Sequence, residues 1–155
     1  MESAVFCYNA LICDIWGRVR FMIFDFEHGT LPGSLELAYL GDSLYDLYVR
    51  ERLIAGGGRV KAMHSRAISL VCAHAQSEAL ERVRDSLTEA EQDVVRRARN
   101  AHQSPPKNAD IGEYHHATAL EALIGWLYVT GQRDRMNEVL GMAVMELGSS
   151  RKSEE

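Results

Sequence analysis

Two aspartates on one predicted helix are the first residues in this sequence that could bind a metal ion. Asp42 and Asp46 are four residues apart, which places both carboxylates on the same helical face. Like charges at this spacing destabilise a helix by about 0.2–0.5 kcal/mol unless a cation or a basic group lies between them. Gly41 precedes Asp42 in the helix interior, where glycine costs roughly 1 kcal/mol relative to alanine. We therefore expect a close-packing or functional reason for Gly41, the alternative being a surface helix with two solvated aspartates.

A third carboxylate, Glu121, is isolated in a strongly apolar segment. The small residues Ala117, Ala122 and Gly125 around it would let another helix approach closely. A carboxylate is expensive to bury there unless it is paired or bound to a metal. The other interpretations are a salt bridge to a nearby arginine, or a place on an exposed stripe of the helix.

These oxygen ligands favour a hard cation over zinc. Asp42 and Glu121 offer carboxylates without sulfur, which suits Mg²⁺, with Mn²⁺ as a substitute. Such ions activate water and stabilise the leaving oxygen in phosphodiester hydrolysis. His115 and His116 point about 100° apart on a helix and lack the HExxH spacing of zinc sites. We expect one of them to contact a phosphate or a neighbouring carboxylate.

Helical periodicity predicts how these residues are positioned. Ser34 is the expected N-cap of a first helix, whose apolar stripe recurs at three- and four-residue steps until Gly56-Gly57-Gly58 ends it. A second helix is predicted over Val60 to Leu87, with a possible break, and a third from the Thr88 capping box to about Ala101. A fourth helix is predicted from the Asp110 cap to about Val129, before Gly131, and a last one over Arg135 to Leu147. The fold class is therefore all-α.

Composition limits the class of protein without deciding its partner. The 155 residues carry a net charge of −5, which argues mildly against nucleic-acid binding. Charge distribution matters more, because residues 96–107 carry Arg96, Arg97, Arg99 and Lys107 without an acidic residue. Three unpaired cysteines indicate a reducing cytoplasm, and no segment is apolar enough to cross a membrane.

The two ends of the chain are set apart from the predicted domain, which spans residues 31–148. Residues 1–30 show no clear period, and Met22 could be an alternative start. This extension could be an extra pair of strands or a segment outside the native fold, and the sequence leaves its status open. Residues 149–155 are expected to form a frayed tail.

Ordered motifs across the chain resemble a known family. Leu40-Gly41-Asp42-Ser43-Leu44 resembles the signature of the ribonuclease III catalytic domain, and Leu120-Glu121-Ala122-Leu123-Ile124-Gly125 resembles its second acidic motif. The closer similarity is to the Mini-ribonuclease III branch, which lacks a double-stranded-RNA-binding domain. Further stretches that support this branch are Leu37 to Asp42, Ala73-His74-Ala75-Gln76, Arg97-Ala98-Arg99-Asn100, and Lys107 to Asp110 leading into Tyr114 to Thr118.

The resemblance implies a homodimeric, helical, magnesium-dependent endonuclease that cuts double-stranded RNA. Asp42 and Glu121 would be the catalytic metal ligands, and Asp46 would support them. Ala38 and Thr118 occupy positions where larger ribonuclease III enzymes carry additional acids, so Thr118 would be a supporting residue and a second metal is in doubt. The residues implied in RNA binding are Arg97, Arg99, Asn100, Lys107, Asn108 and His115.

The resemblance also implies a substrate and leaves competing functions open. The implied substrate is bacterial precursor large-subunit ribosomal RNA, with a ribosomal protein as a possible helper. The main alternative is a catalytically silent relative that binds RNA or ribosomal particles, against which the presence of both Asp42 and Glu121 argues. A hydrolase of small phosphorylated molecules would leave the basic stretch unexplained, and a plain helical interaction module would leave Glu121 unexplained.

Overall fold

The computed structural model describes residues 31–145, and that range contains helices and loops without a strand. The all-α prediction is confirmed. In chain order the elements are α1 (Ser34–Gly56), α2 (Val60–Val71), α3 (Ala73–Val83), a 3₁₀ turn (Arg84–Ser86), α4 (Glu89–Arg99), α5 (Ile111–Val129) and α6 (Arg133–Ala143). No helix within residues 31–145 is long and apolar enough to cross a membrane.

Helix α5 is the centre of the domain because its sequence is apolar on nearly every side. A helix that is hydrophobic all round must be buried against several neighbours. Helix α5 accordingly packs against α1, α3 and α4, and also meets α6. Its buried residues are Ala117, Thr118, Ala119, Leu120, Ala122, Leu123, Ile124, Gly125 and Leu127.

Helices α1 and α5 cross with their backbones in contact at two glycines. A Cβ atom built on Gly41 would overlap the carbonyl group of Glu121. A Cβ atom built on Gly125 would likewise overlap the carbonyl group of Leu37 on α1. The close-packing reason expected for Gly41 is therefore found, and the crossing places Asp42 beside Glu121.

The capping motifs were predicted with mixed success. The Thr88 box is confirmed, since the Thr88 hydroxyl accepts from the Glu91 N–H at 3.3 Å and the Glu91 carboxylate accepts from the Thr88 N–H at 2.8 Å. Asp110 caps α5 by accepting from the Glu113 N–H at 2.9 Å. Ser34 as an N-cap was wrong, because Gly33 takes the cap position and its N–H donates to the Glu36 carboxylate at 2.7 Å.

Helix boundaries agree with the prediction in part. The possible break in the second helix is confirmed at Cys72, whose extended backbone (φ −70°, ψ 158°) ends α2 and begins α3, but α3 ends at Val83, before the predicted Leu87. Helix α4 ends at Arg99, slightly before the predicted Ala101. Helix α6 spans Arg133–Ala143 and begins two residues earlier than predicted, because Gly131 at φ +75° already reverses the chain after α5. It also ends four residues before the predicted Leu147, since the backbone of Val144 is no longer helical. The predictions for residues 1–30 and for the tail after residue 145 lie outside the described residues.

A buried ion pair joins α4 to α6. Glu91, only 2% exposed, accepts from Arg135 Nε at 2.8 Å and from Arg135 Nη2 at 3.0 Å. Arg135 also donates to the Ser86 carbonyl at 2.7 Å. The Arg135 guanidinium and the Thr88 cap hold the pKa of Glu91 below its usual range despite burial. The N-terminus of α4 is thereby fixed against α6.

Candidate active site

A cleft of about 510 Å³ opens where α1, α3 and α5 meet the loop that follows α4. Its position follows from the glycine crossing of α1 and α5, which leaves both acidic side chains at one side of the contact. The residues that line it are Leu35, Ala38, Tyr39, Asp42, Val71, Ala73, Gln76, His102, Gln103, Ser104, Tyr114, Ala117, Thr118 and Glu121. The two carboxylates singled out in the sequence therefore share one cavity.

Glu121 and Asp42 interact directly, and the environment of Glu121 is unfavourable for a bare negative charge. Burial, followed by repulsion from Asp42, raises the pKa of Glu121 from 4.5 to about 8. A proton on Glu121 can also be shared with Asp42 by a hydrogen bond, which raises this pKa further. The Gln76 side chain opposes these effects by favouring the charged form. The pair is a place where a cation would be strongly stabilised.

The donor set fits a magnesium ion and does not fit a structural metal. Within residues 31–145, no group of three or more His, Cys, Asp or Glu residues is arranged to hold a metal ion. Mg²⁺ usually binds through one or two carboxylates and fills its other positions with water and substrate phosphate. Asp42 and Glu121, side by side and repelling each other, provide that kind of partial site.

The two residues predicted to support the carboxylates are placed differently. Asp46 does not line the cleft, and its carboxylate accepts from Arg50 Nε at 2.7 Å. Thr118 is buried in the cleft wall one turn before Glu121. The Thr118 hydroxyl lies 2.9 Å from Gln103 Oε1 and 3.0 Å from the Tyr114 carbonyl, either of which can accept its proton.

The predicted RNA-binding residues of the basic stretch lie outside the cleft. Arg97, Arg99, Asn100, Lys107 and Asn108 are all exposed, at the end of α4 and in the loop before α5. Gln103 in the same loop donates from Nε2 to the Ala98 carbonyl at 3.3 Å, while its Oε1 faces Thr118. The loop that carries Lys107 and Asn108 is therefore tied to α5, the helix that carries Glu121.

Each of the adjacent histidines contacts an uncharged group in place of the expected carboxylate, and the alternative expectation of a phosphate contact stays a prediction. His115 Nδ1 lies 2.7 Å from the Arg99 carbonyl, so Nδ1 carries the proton and donates it. His116 Nδ1 lies 3.1 Å from the Ser77 hydroxyl. A third histidine, His74, does pair with a carboxylate, with Nδ1 2.7 Å from Glu113, and this contact raises the pKa of His74.

Sequence reasoning missed four residues of the cleft as functional candidates. His102 and Gln103 fall in an irregular loop, where no periodicity indicates which side chains turn inward. Tyr39 reads as an ordinary helix residue, although it is 85% exposed beside Asp42. Gln76 was quoted only as part of the Ala73-His74-Ala75-Gln76 stretch, and the one available signal was a polar residue on an apolar helix face.

Comparison with known proteins shows the family of this chain. The model of the ribonuclease III domain family matches residues 35–132. A Mini-ribonuclease 3 from Symbiobacterium thermophilum is 52% identical over 74% of this chain and 88% of its own length. A Mini-ribonuclease 3 from Brevibacillus brevis is 45% identical over 74% of this chain and 87% of its own. A solved structure from Fusobacterium nucleatum matches with a TM-score of 0.68 at 27% identity, covering 73% of this chain and 93% of that chain.

The described domain is all-helical, with two acids on crossing helices, and the family model matches most of its length. These features define a ribonuclease III domain. The chain belongs to the Mini-ribonuclease III branch of that family of double-strand-specific endoribonucleases.

Proposed function

We propose that this endoribonuclease hydrolyses phosphodiester bonds of double-stranded RNA with Mg²⁺ held by Asp42 and Glu121. We further propose that its substrate is precursor large-subunit ribosomal RNA in the cytoplasm, where a ribosomal protein could act as a helper. The observation that carries the proposal is the direct contact of Asp42 and Glu121 in a cleft of about 510 Å³.

The two carboxylates account for how the cation would be held. Without a cation, burial and the neighbouring Asp42 charge favour a proton on Glu121. A divalent ion between the two acids would replace that proton and remove their mutual repulsion. When bound, the ion supplies a water of lowered pKa and stabilises charge on the phosphoryl oxygens.

Fewer ligands than in larger ribonuclease III enzymes are available for a second ion. The Ala38 side chain offers no ligand atom, and Thr118 offers only a neutral hydroxyl in place of a carboxylate, with its proton directed to Gln103 Oε1 or the Tyr114 carbonyl. Thr118 therefore supports the site by anchoring Gln103 of the loop. Asp46, one turn after Asp42 and paired with Arg50, would support the helix that presents Asp42.

The exposed cations outside the cleft supply the RNA-binding face. Double-stranded RNA is read mainly through its shape, its phosphates and its 2′-hydroxyl groups. Arg97, Arg99 and Lys107 are exposed and would contact phosphates, and Asn100 and Asn108 would bond to sugar or phosphate oxygens. His115, whose Nδ1 is committed to the Arg99 carbonyl, would use its Nε2.

A homodimer would cover an exposed apolar surface beside the site. Leu35 and Tyr39, four residues apart on α1, both line the cleft and are 44% and 85% exposed. Large apolar side chains exposed together commonly mark an interface. A second copy that covered this face would give two active sites for the two strands of a duplex.

Cleavage of a long RNA duplex tests the proposal. We expect wild type to cut with Mg²⁺ or Mn²⁺, and Asp42→Asn and Glu121→Gln each to lose about a hundredfold or more, because the cation supplies several kcal/mol to the transition state. Glu89→Gln, which changes an exposed acid outside the cleft, should cut normally.

Two results would contradict the proposal in different ways. Binding of the duplex without cutting, even with Mn²⁺, would favour a catalytically silent RNA-binding protein. Full activity of both variants would show that Asp42 and Glu121 are not the metal ligands.

A further inference from the structure

Gln76 is a buried polar residue with an unpaired hydrogen-bond donor in the cleft. Its side chain is 1% exposed, on α3, and its Nε2 has no hydrogen-bond partner within residues 31–145. Buried amide groups are nearly always paired, because a lost bond to water is not otherwise recovered. An unpaired donor at this position therefore indicates a hydrogen bond that forms only when the site holds its metal ion or its substrate.

The local fold aims Gln76 at the carboxylates. The helix is interrupted at Cys72, so α3 begins at Ala73. The Gln76 N–H donates to the Cys72 carbonyl at 3.0 Å in the first turn of α3. Ala73 and Gln76, three residues apart on one helical face, both line the cleft with Asp42 and Glu121. Gln76 Nε2 makes no hydrogen bond as the site stands, yet it is close enough to Glu121 for this side chain to favour the charged form of the carboxylate.

The identity of the unpaired atom limits what it can bind. An amide nitrogen carries two protons and no free lone pair, so it cannot ligate a cation. Its partner must be an acceptor, and the acceptors available to this cleft are a carboxylate oxygen or a phosphate oxygen of the substrate. The carboxylate is favoured because Glu121 is already adjacent, and ionisation gives it acceptor capacity on both oxygens.

We propose that Gln76 is a positioning residue whose Nε2 donates a hydrogen bond to the cation-bound Glu121 carboxylate and fixes the oxygen that faces the metal. Carboxylates that ligate a metal are commonly held by such a second hydrogen bond. The role rests on the proposed metal centre and extends it to a residue that does not touch the cation.

The variant Gln76→Met tests this role, because methionine keeps the length of the side chain and removes the donor. Mn²⁺ binding to the RNA-free protein is measured by titration calorimetry, and we expect the dissociation constant to rise about 10- to 100-fold. In the metal-free protein, Gln76→Met should be at least as stable as wild type, since a buried unpaired donor is removed. The Mg²⁺ concentration for half-maximal cleavage should rise in parallel.

A matched control distinguishes this effect from a general loss of a glutamine. Gln92 lies on α4, and its Nε2 already donates to the Leu87 carbonyl at 2.9 Å. Gln92→Met should leave Mn²⁺ affinity unchanged and lower stability slightly.

The outcomes separate this inference from the proposed function. Unchanged Mn²⁺ affinity in Gln76→Met overturns the role of Gln76 alone, and a raised KM for the duplex would then assign the donor to an RNA phosphate. A metal-free Gln76→Met that is clearly less stable than wild type overturns it as well, since Nε2 would then already be paired. A wild type that binds no Mn²⁺ overturns the metal centre and the role of Gln76 together.

Discussion

Replacing Gly41 by alanine should damage both the stability and the activity of this protein. The added Cβ would overlap the Glu121 carbonyl group, and its nearest neighbours are all backbone atoms of α5. No side-chain rotation can relieve such a clash, so α1 and α5 must separate. Overpacking of this kind costs about 1–3 kcal/mol and sometimes more, against a gain in helix propensity of up to about 1 kcal/mol. We expect a net loss of about 1–3 kcal/mol in the free energy of unfolding.

The effect of Gly41→Ala on cleavage should exceed its effect on stability. Asp42 follows Gly41 on α1, and Glu121 is the residue whose backbone must move away. A misplacement of about 1 Å at a catalytic group can cost on the order of a hundredfold in rate. We therefore expect duplex cleavage to fall about a hundredfold at temperatures where the variant remains folded.

Urea unfolding and single-turnover cleavage measure the two effects separately. Gly141→Ala on α6 is the matched control, because the nearest atom to its Cβ would be Tyr48 Oη at 3.7 Å, an ordinary contact. It should gain roughly 0.5–1 kcal/mol and cleave normally. If Gly41→Ala were as stable and as active as wild type, the backbone contact would not be what positions the carboxylates.

Two further predictions concern the buried charges of the domain. Arg135→Met leaves Glu91 buried without its partner and should lower the free energy of unfolding by about 3–5 kcal/mol. Arg96→Met breaks only an exposed ion pair and should lower it by less than about 1 kcal/mol. Equal urea midpoints for the two variants would contradict this prediction. In metal-free protein, the pKa of Glu121 is raised from 4.5 to about 8, so the folded state holds a proton that the unfolded state has lost. Stability should therefore decline as pH rises through that window, and less steeply in Glu121→Gln, when unfolding is measured at a series of pH values. If the stability of wild type instead rose with pH relative to that of Glu121→Gln over the same window, the folded state would not disfavour the charged form of Glu121.

Local patterns predicted the helices well and singled out the two acids that share the cleft. The Thr88 capping box was confirmed because its partners are three residues apart, and Gly41 was flagged because glycine is unfavourable inside a helix. Non-local contacts could not be predicted in this way. Glu91 reads as a capping residue, yet it also binds Arg135, 44 positions later in the chain.

The features that sequence reasoning missed depend on the tertiary arrangement. A break in the second helix was expected, but its position was not, because nothing about Cys72 as a residue type ends a helix. Gln103 enters the cleft only because the loop folds back onto α5. Gln76 looks unremarkable until its burial and unpaired Nε2 are known.

The paired glycines have a consequence for how this enzyme can change. Gly41 and Gly125 bring two main chains into contact, so the spacing of the helices that carry Asp42 and Glu121 does not depend on the volume of any intervening side chain. Substitutions elsewhere in the core can therefore be absorbed by repacking without altering the separation of the two acids. The core can diverge in sequence, or be redesigned for heat tolerance, while the separation of the two acids is inherited intact.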